Sequence, residues 1–366
     1  MKISPKNIVI IFNNLNIGGI ETKIIDLCHY YSSQKNVKIT LLLKSKSGSL
    51  LNQLPSKTTL YSPKITDILK IRTLIFPFWL TIKFNQLHPN LILTFGNYSA
   101  ISGIVGKYFG HCYAPLIISE DSSITKQLET DTFSFLRTQL VKITYPLASQ
   151  IIVLSKIGQQ KLTKLLPQVK NRISILYNWL PLNISVIKQI NKKDIDILFL
   201  GRFEPQKNPQ KFLEISRSLI KKHPDLKIAI VGYGSLETKI RDYISKNKLN
   251  SQISIFPQTT SPAEYFKRSH ILLLTSNHEG FPLTLLESTA LKALPICINL
   301  PEIREYFNYR PNSILYNTKK EAINKIENLL KNPPLLKQLA IYYQQKTLAN
   351  QKQYFTKTIK FFNQYL

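Results

Sequence analysis

The chain has 366 residues, 43% of them hydrophobic and 19% charged; at about 100–200 residues per domain the length points to two domains, and this apolar content excludes a disordered chain. The net charge of +28 divides evenly, with 21 Lys and Arg against 7 Asp and Glu in residues 1–180, and 28 against 14 in residues 181–366. With no polybasic block, that excess either draws anionic partners such as nucleic acid, acidic lipid or phosphorylated sugars, or is a Lys-rich solvated surface with no further role.

In chain order, the first apolar run is Ile8–Phe12, too short for a signal-peptide core and followed by polar residues. It predicts a buried strand, as do Lys38–Leu43, Leu91–Phe95, Leu116–Ser119 and Ile151–Leu154. Their near-continuous apolar character is that of parallel strands covered on both faces. Helices are predicted over Ile20–Tyr31, over Asp67–Gln86 with a break near Pro77, and over Thr130–Leu140. A second series runs strand Asp196–Leu200, helix Pro209–Lys222, strand Leu226–Gly232, helix Leu236–Asn247, strand Ile253–Phe256, helix Pro262–Ser269, strand Ile271–Thr275, helix Pro282–Ala293 and strand Pro295–Asn299. From Lys319 onward the chain reads as helix. Two such alternating series predict an α/β chain of two Rossmann-like domains. The join falls near Tyr177–Asn183 and extends through Lys193. No segment offers about 20 uninterrupted apolar residues; the nearest, Ile68–Phe84, contains Lys70, Arg72, Pro77 and Lys83.

Cys28, Cys112 and Cys297 lack metal-ligand spacing, and the first and last sit in apolar contexts that suit small core residues in a reducing cytoplasm. The six histidines show no metal-binding pair, and neither a nucleophile elbow nor a Walker loop is present.

Four segments could carry chemistry. Gly201-Arg202-Phe203-Glu204-Pro205-Gln206-Lys207-Asn208 follows a strand directly. Glycine permits a sharp turn there, and ligands in open α/β sheets bind at strand carboxyl ends. Arg202 and Lys207 are either ordinary loop cations or a grip for a diphosphate, one a planar fork and the other a point charge. Glu279-Gly280-Phe281-Pro282-Leu283 leads from a strand into a helix that carries Glu287. Free N–H groups at that helix start suit anionic oxygen, and the two carboxylates suit hydroxyls on either side of it; alternatively Glu279 only caps the helix and Glu287 faces solvent. Asn16-Ile-Gly18-Gly19-Ile-Glu21 is a glycine loop without the full dinucleotide fingerprint. Ile230-Val-Gly232-Tyr-Gly234 is a strand-to-helix turn that could lie beside a nucleotide.

Taken together these segments resemble glycosyltransferase family 4, retaining enzymes of the GT-B fold in which two Rossmann-like domains face each other across a cleft. The likeness rests on Gly201-Arg202…Lys207-Asn208, the Glu279…Glu287 spacing, Ser276-Asn-His-Glu279-Gly-Phe-Pro and the Val231-Gly232-Tyr-Gly234 turn. In the first half it rests on the Gly18-Gly19 loop, His88–Thr94, Leu147–Ser155 and Ile175–Asn178. The resemblance implies that Arg202, Lys207 and Glu279 are catalytic. It implies that Gly201, Gly232, Gly280, Phe281, Pro282, Leu283 and Glu287 bind the donor, and that Gly18 and Gly19 face the acceptor. Where the family often has a basic residue after Glu120, this chain has Asp121, so Glu120 and Asp121 are the candidates for the acceptor-side contact. The segment Asn299–Glu305 lacks the family's usual glycine.

The implied organisation is an acceptor-binding domain over 1–180, completed by a helix over 345–366, and a donor-binding domain over 194–344. The implied reaction moves a hexose or N-acetylhexosamine from a nucleotide-diphospho-sugar to a glycan or lipid-linked acceptor in cell-surface polysaccharide synthesis. It needs no metal, no cofactor beyond the donor and no covalent protein intermediate. The alternatives are a sugar-nucleotide epimerase of similar shape, or a non-enzymatic anion binder; the latter lacks a basic–aromatic nucleic-acid motif, so no nucleic-acid partner is expected. A cytoplasmic location is expected. The stretch Lys70–Phe84, with Phe76, Phe78 and Trp79, either docks the chain on an anionic membrane or is a core-facing helix.

Overall fold

A computed structural model describes residues 5–64, 69–121, 134–184, 193–307 and 313–366. The chain divides into two compact units, Met1–Asn178 with Tyr354–Leu366, and Trp179–Gln353.

The first unit runs β1 (Lys6–Phe12), α1 (Gly19–Ser32), β2 (Val37–Leu43), β3 (Thr59–Tyr61), α2 (Leu69–Leu87), β4 (Leu91–Phe95), α3 (Asn97–Phe109), β5 (Leu116–Glu120), α4 (Ser134–Thr144), β6 (Gln150–Val153), α5 (Lys156–Leu165) and β7 (Ile173–Ile175). Its strands form one parallel sheet in the order β3-β2-β1-β4-β5-β6-β7. One core lies on one face of the sheet: Val9, Ile11, Ile92 and Ile118 of the sheet meet Phe76, Leu80 and Phe84 of α2, Ile104 of α3, Val141 of α4 and Leu162 of α5.

Two differences from the sequence reading have physical causes. The predicted break at Pro77 is absent, and α2 continues through it. Proline lacks the N–H that would bond the carbonyl four residues back, at Thr73; the Tyr98 hydroxyl of α3 donates to that carbonyl at 2.8 Å instead. Helix α3 itself escaped the reading, because Gly103 and Gly106 weaken helix propensity. Both are packing residues: a methyl group at Gly106 would lie 2.7 Å from Leu80 Cβ and 2.9 Å from the Pro77 carbonyl. Helix α4 is described from Ser134; 130–133 of the predicted helix, like 67–68 of the predicted first turn of α2 and 185–192 of the predicted join, lie outside the described residues.

The second unit runs β8 (Ile195–Leu200), α6 (Pro209–Ile220), β9 (Ile228–Val231), α7 (Glu237–Lys246), β10 (Ile253–Phe256), α8 (Pro262–Arg268), β11 (Ser269–Leu274), α9 (Leu283–Ala290), β12 (Leu294–Ile298), α10 (Pro301–Tyr306), β13 (Leu315–Tyr316), α11 (Lys319–Lys331) and α12 (Pro333–Asn363). Its parallel sheet has the order β10-β9-β8-β11-β12-β13. Helix α12 is one 31-residue helix that begins in this unit and ends in the other. Within the second unit the Thr347 and Thr289 hydroxyls bond at 2.9 Å and Gln344 donates to the Ala290 carbonyl at 2.7 Å. Within the first, Phe355 meets the Tyr30 ring at 5.5 Å and Tyr31 donates to Asn363 at 3.1 Å. In each sheet the chain leaves its first strand in both directions, so the order reverses between β1 and β4 and between β8 and β11. A crevice opens at the carboxyl ends of strands where order reverses.

Candidate active site

The reversal in the second sheet brings two of the singled-out loops side by side. Residues 201–208 leave the end of β8 and residues 275–282 leave the end of β11, its parallel neighbour. Side chains lace the two together. Thr275 Oγ1 donates to the carbonyls of Lys207 and Asn208 at 3.1 and 3.0 Å. Asn277 Nδ2 donates to the Pro205 carbonyl at 2.8 Å, and the Asn277 N–H to the Gln206 carbonyl, also at 2.8 Å. Asn208 caps α6 in a left-handed conformation, with its side chain accepting the Lys211 N–H at 3.1 Å. Asn followed by Pro209 at the first helical position is a recognisable start signal.

This lacing sets Lys207 against Glu279, with Nζ and Oε1 2.6 Å apart. Their side chains are 17% and 5% exposed, so the pair is shielded on the carboxylate side and open at the ammonium. Burial pushes the Cys297 thiol on β12 well up, and the Glu279 charge pushes it further, so the field of that carboxylate reaches the next strand. Arg202 is exposed, and its guanidinium donates to Gln206 Oε1 at 2.9 Å. The three predicted catalytic groups thus come from two adjoining loops.

A third loop closes onto the first. Gly232 and Gly234 have φ of +155° and +152°, and a side chain at Gly232 would collide with the Gly201 carbonyl. Close approach, not only the turn, requires glycine there. The Phe203 N–H donates to Tyr233 at 2.6 Å, and Glu204 accepts from the Ser235 N–H at 2.9 Å and its hydroxyl at 2.7 Å. Those bonds, led by the backbone one, hold the Glu204 carboxyl below its usual range, with help from Arg202. Gly201 differs from expectation: it has no left-handed φ, and a Cβ would meet the Lys207 stem at an ordinary 3.7 Å.

The loop after β11 enters α9 through Pro282, which stands just outside the helix, so Leu283 is the first helical residue. The N–H groups of Leu283 and Thr284 have no acceptor within the helix by position. Phe281, Pro282 and Leu283 are buried, and the Phe281 ring packs on Tyr306 at 4.5 Å. Their side chains therefore build the floor, and only their backbone can meet a ligand. Gly280 is half-buried in the loop. Glu287, the fifth residue of α9, is 7% exposed, which corrects the alternative of a solvent-facing carboxylate.

In the first unit, Gly18 is the extended N-cap of α1, with its carbonyl accepting the Thr22 N–H at 3.1 Å and the Thr22 hydroxyl at 3.0 Å. Gly19 is the exposed first residue of that helix. Asp121 forms a buried ion pair with Lys23 of α1, and the Lys23 ammonium also lies 5.8 Å from the centre of the Phe95 ring. The helix that follows the glycine loop and the end of β5 are thereby joined through Lys23, which the sequence reading did not single out. Glu120 turns into the core: it is 3% exposed and accepts the Tyr145 hydroxyl at 2.6 Å, and burial with that negative neighbour pushes the phenol well up. Among the described residues no group of three or more His, Cys, Asp or Glu could hold a metal ion, and no helix is long and apolar enough to cross a membrane.

Comparison with known proteins places this geometry. The family model described as "Glycosyl transferases group 1" matches residues 183–346. A relative from Haemophilus influenzae named "Uncharacterized glycosyltransferase" is 26% identical over 147 residues, 39% of this chain and 42% of that protein; the chain thus aligns with under half of that relative's length. A Campylobacter jejuni relative, named N-acetylgalactosamine-N,N'-diacetylbacillosaminyl-diphospho-undecaprenol 4-alpha-N-acetylgalactosaminyltransferase, is 25% identical over 292 residues, 78% of each chain. Among solved structures, Anabaena Alr3699/HepE in complex with UDP and glucose is 12% identical, with a TM-score of 0.78 over 97% of this chain and 99% of that one. On these findings the chain has the GT-B fold, and its residues 183–346 match the model of the group 1 glycosyl transferases.

Proposed function

We propose that this protein is a retaining glycosyltransferase that moves a hexose or N-acetylhexosamine from a nucleotide-diphospho-sugar to a glycan or lipid-linked acceptor during surface polysaccharide assembly. The observation that carries the proposal is the Lys207–Glu279 pair beside exposed Arg202, at the strand-order reversal of the second sheet. When the bond between the sugar and the diphosphate breaks, negative charge collects on the departing oxygens. Preplaced cations and helix-start N–H groups stabilise charge that grows in the transition state. Arg202, Lys207 and the backbone at Leu283–Thr284 supply that set, and no metal ion is needed for the purpose. Glu279 accepts hydroxyl hydrogens of the donor sugar, and Glu287 those of the ribose. The Campylobacter relative's name includes a diphospho-undecaprenol acceptor, which supports a lipid-linked acceptor here. In the first unit, Gly18 and Gly19 leave the start of α1 open to an acceptor, and the Lys23–Asp121 pair fixes that start.

The test is product analysis with a panel of UDP-, GDP- and ADP-sugars and an undecaprenyl-diphosphate-linked acceptor. Arg202→Ala and Glu279→Gln are each expected to lower turnover by about 100-fold or more, with an unchanged circular dichroism spectrum. Near-normal turnover in either would remove the assignment, and conversion of a donor to its epimer without acceptor would replace transfer with isomerisation.

A further inference from the structure

The inner faces of α2, α3, α4 and α5 are accounted for, since side chains of all four enter the core on one face of the first sheet. The outer faces of three of them are apolar as well. On α2, Ile71, Leu74, Ile75, Phe78 and Ile82 are 43, 72, 37, 58 and 56% exposed. Steps of three and four residues put them in one stripe along the helix, opposite buried Phe76, Leu80 and Phe84. On α4, Leu136, Leu140 and Ile143 repeat that spacing and are 58, 38 and 66% exposed. Helix α3 packs against both neighbours and ends in exposed Tyr108 and Phe109. The Phe109 ring lies 6.0 Å from that of Phe78, so the α2 stripe continues onto α3. Soluble monomers rarely leave so large a contiguous apolar surface bare.

Among the described residues of these helices the charge has one sign. Helices α2, α3 and α4 contain no Asp or Glu, and between Asp67 and Glu120 the sequence has none. Glu120 and Asp121 are buried in bonds to Tyr145 and Lys23. Lys83, Lys107, Arg137 and Lys142 stand on the same helices. The Lys83 ammonium lies 4.6 Å over the Tyr61 ring and 5.7 Å from that of Trp79, its stem lying along aromatic surface.

We propose that the α2–α3–α4 face docks on an anionic lipid bilayer, with Phe78, Leu74 and Ile143 entering the headgroup–acyl boundary and the basic side chains meeting lipid phosphates. Charge selects this occupant over a second copy of the chain. A self-paired face would set lysines against lysines with no carboxylate on the described residues of these helices to neutralise them, whereas an anionic headgroup layer supplies the opposite sign. The proposal does not depend on the donor chemistry of the second unit.

The experiment is co-sedimentation of the full chain with vesicles of phosphatidylglycerol and phosphatidylethanolamine, compared with vesicles of phosphatidylcholine alone, each at low and high salt. Wild type is expected to bind the anionic vesicles more tightly and to lose binding as salt rises. The variant Leu74→Glu/Phe78→Glu/Ile143→Glu is expected to partition about tenfold less or worse, with unchanged melting temperature and unchanged hydrolysis of a sugar nucleotide. Equal binding by wild type and variant would overturn the proposal, as would equal binding to phosphatidylcholine. So would a wild-type dimer in sedimentation velocity that the variant abolishes, with no vesicle binding by either; if the variant does not fold, the lipid and salt dependence of wild type decides.

Discussion

Lys207 and Glu279 neutralise one another across 2.6 Å, and the carboxylate is the more deeply buried partner. Lys207→Met would leave that carboxylate without a counter-charge, at a cost of about 3 kcal/mol. Urea unfolding should record the loss, and adding Glu279→Gln to the same chain should restore most of it; a neutral single variant would show that the two groups are not coupled. Arg202, exposed and hydrogen-bonded to Gln206, is expected to be replaceable by Ala within about 0.5 kcal/mol of stability. The spacing of Arg202, Lys207, Glu279 and Glu287 was legible in the sequence, because the first three follow the end of an apolar strand within a few residues and Glu287 stands in the helix that comes next. Their pairing was not, because it depends on which strands become neighbours. Nor was Lys23–Asp121, whose members are 98 positions apart, nor the inward turn of Glu120, which needs Tyr145 to be seen.

At the scale of the element, α2 shows how a local rule is overridden by a neighbour. Pro77 takes one hydrogen bond from the helix, and Tyr98 of α3 returns one to the same carbonyl. Tyr98→Phe should therefore cost about 1 kcal/mol in urea unfolding and loosen the helix at the turn before Pro77, as amide exchange would record. No change on either measure would mean that the carbonyl finds another donor. The long apolar strands were readable because burial on both faces writes itself as a continuous run. Strands β3, β7 and β13, of three, three and two residues, are too short to carry such a signal. Helix α12 was read only as a helical tail from Lys319 with a separate end at 345, although one helix spans Pro333–Asn363 and divides between the units at Gln353 and Tyr354.

At the scale of the molecule, two sheets of the same winding each place a glycine-bearing loop where strand order reverses, which is why a sequence of alternating strands and helices was enough to predict two Rossmann-like domains. The +28 charge was legible as a number, but the exposed apolar stripe on helices that carry Lys and Arg and no Asp or Glu was not, because exposure is a property of packing. If Arg202, Lys207 and the α9 backbone meet the leaving charge, turnover in EDTA should stay within about twofold of its value with added magnesium; a collapse on chelation would reassign that work to a metal ion. The most direct test of the central claim is hydrogen–deuterium exchange with whichever of UDP, GDP or ADP raises the melting temperature. The account predicts protection over residues 201–208 and 276–285, lost in Arg202→Ala. Protection confined to other segments, or undiminished in that variant, would contradict it.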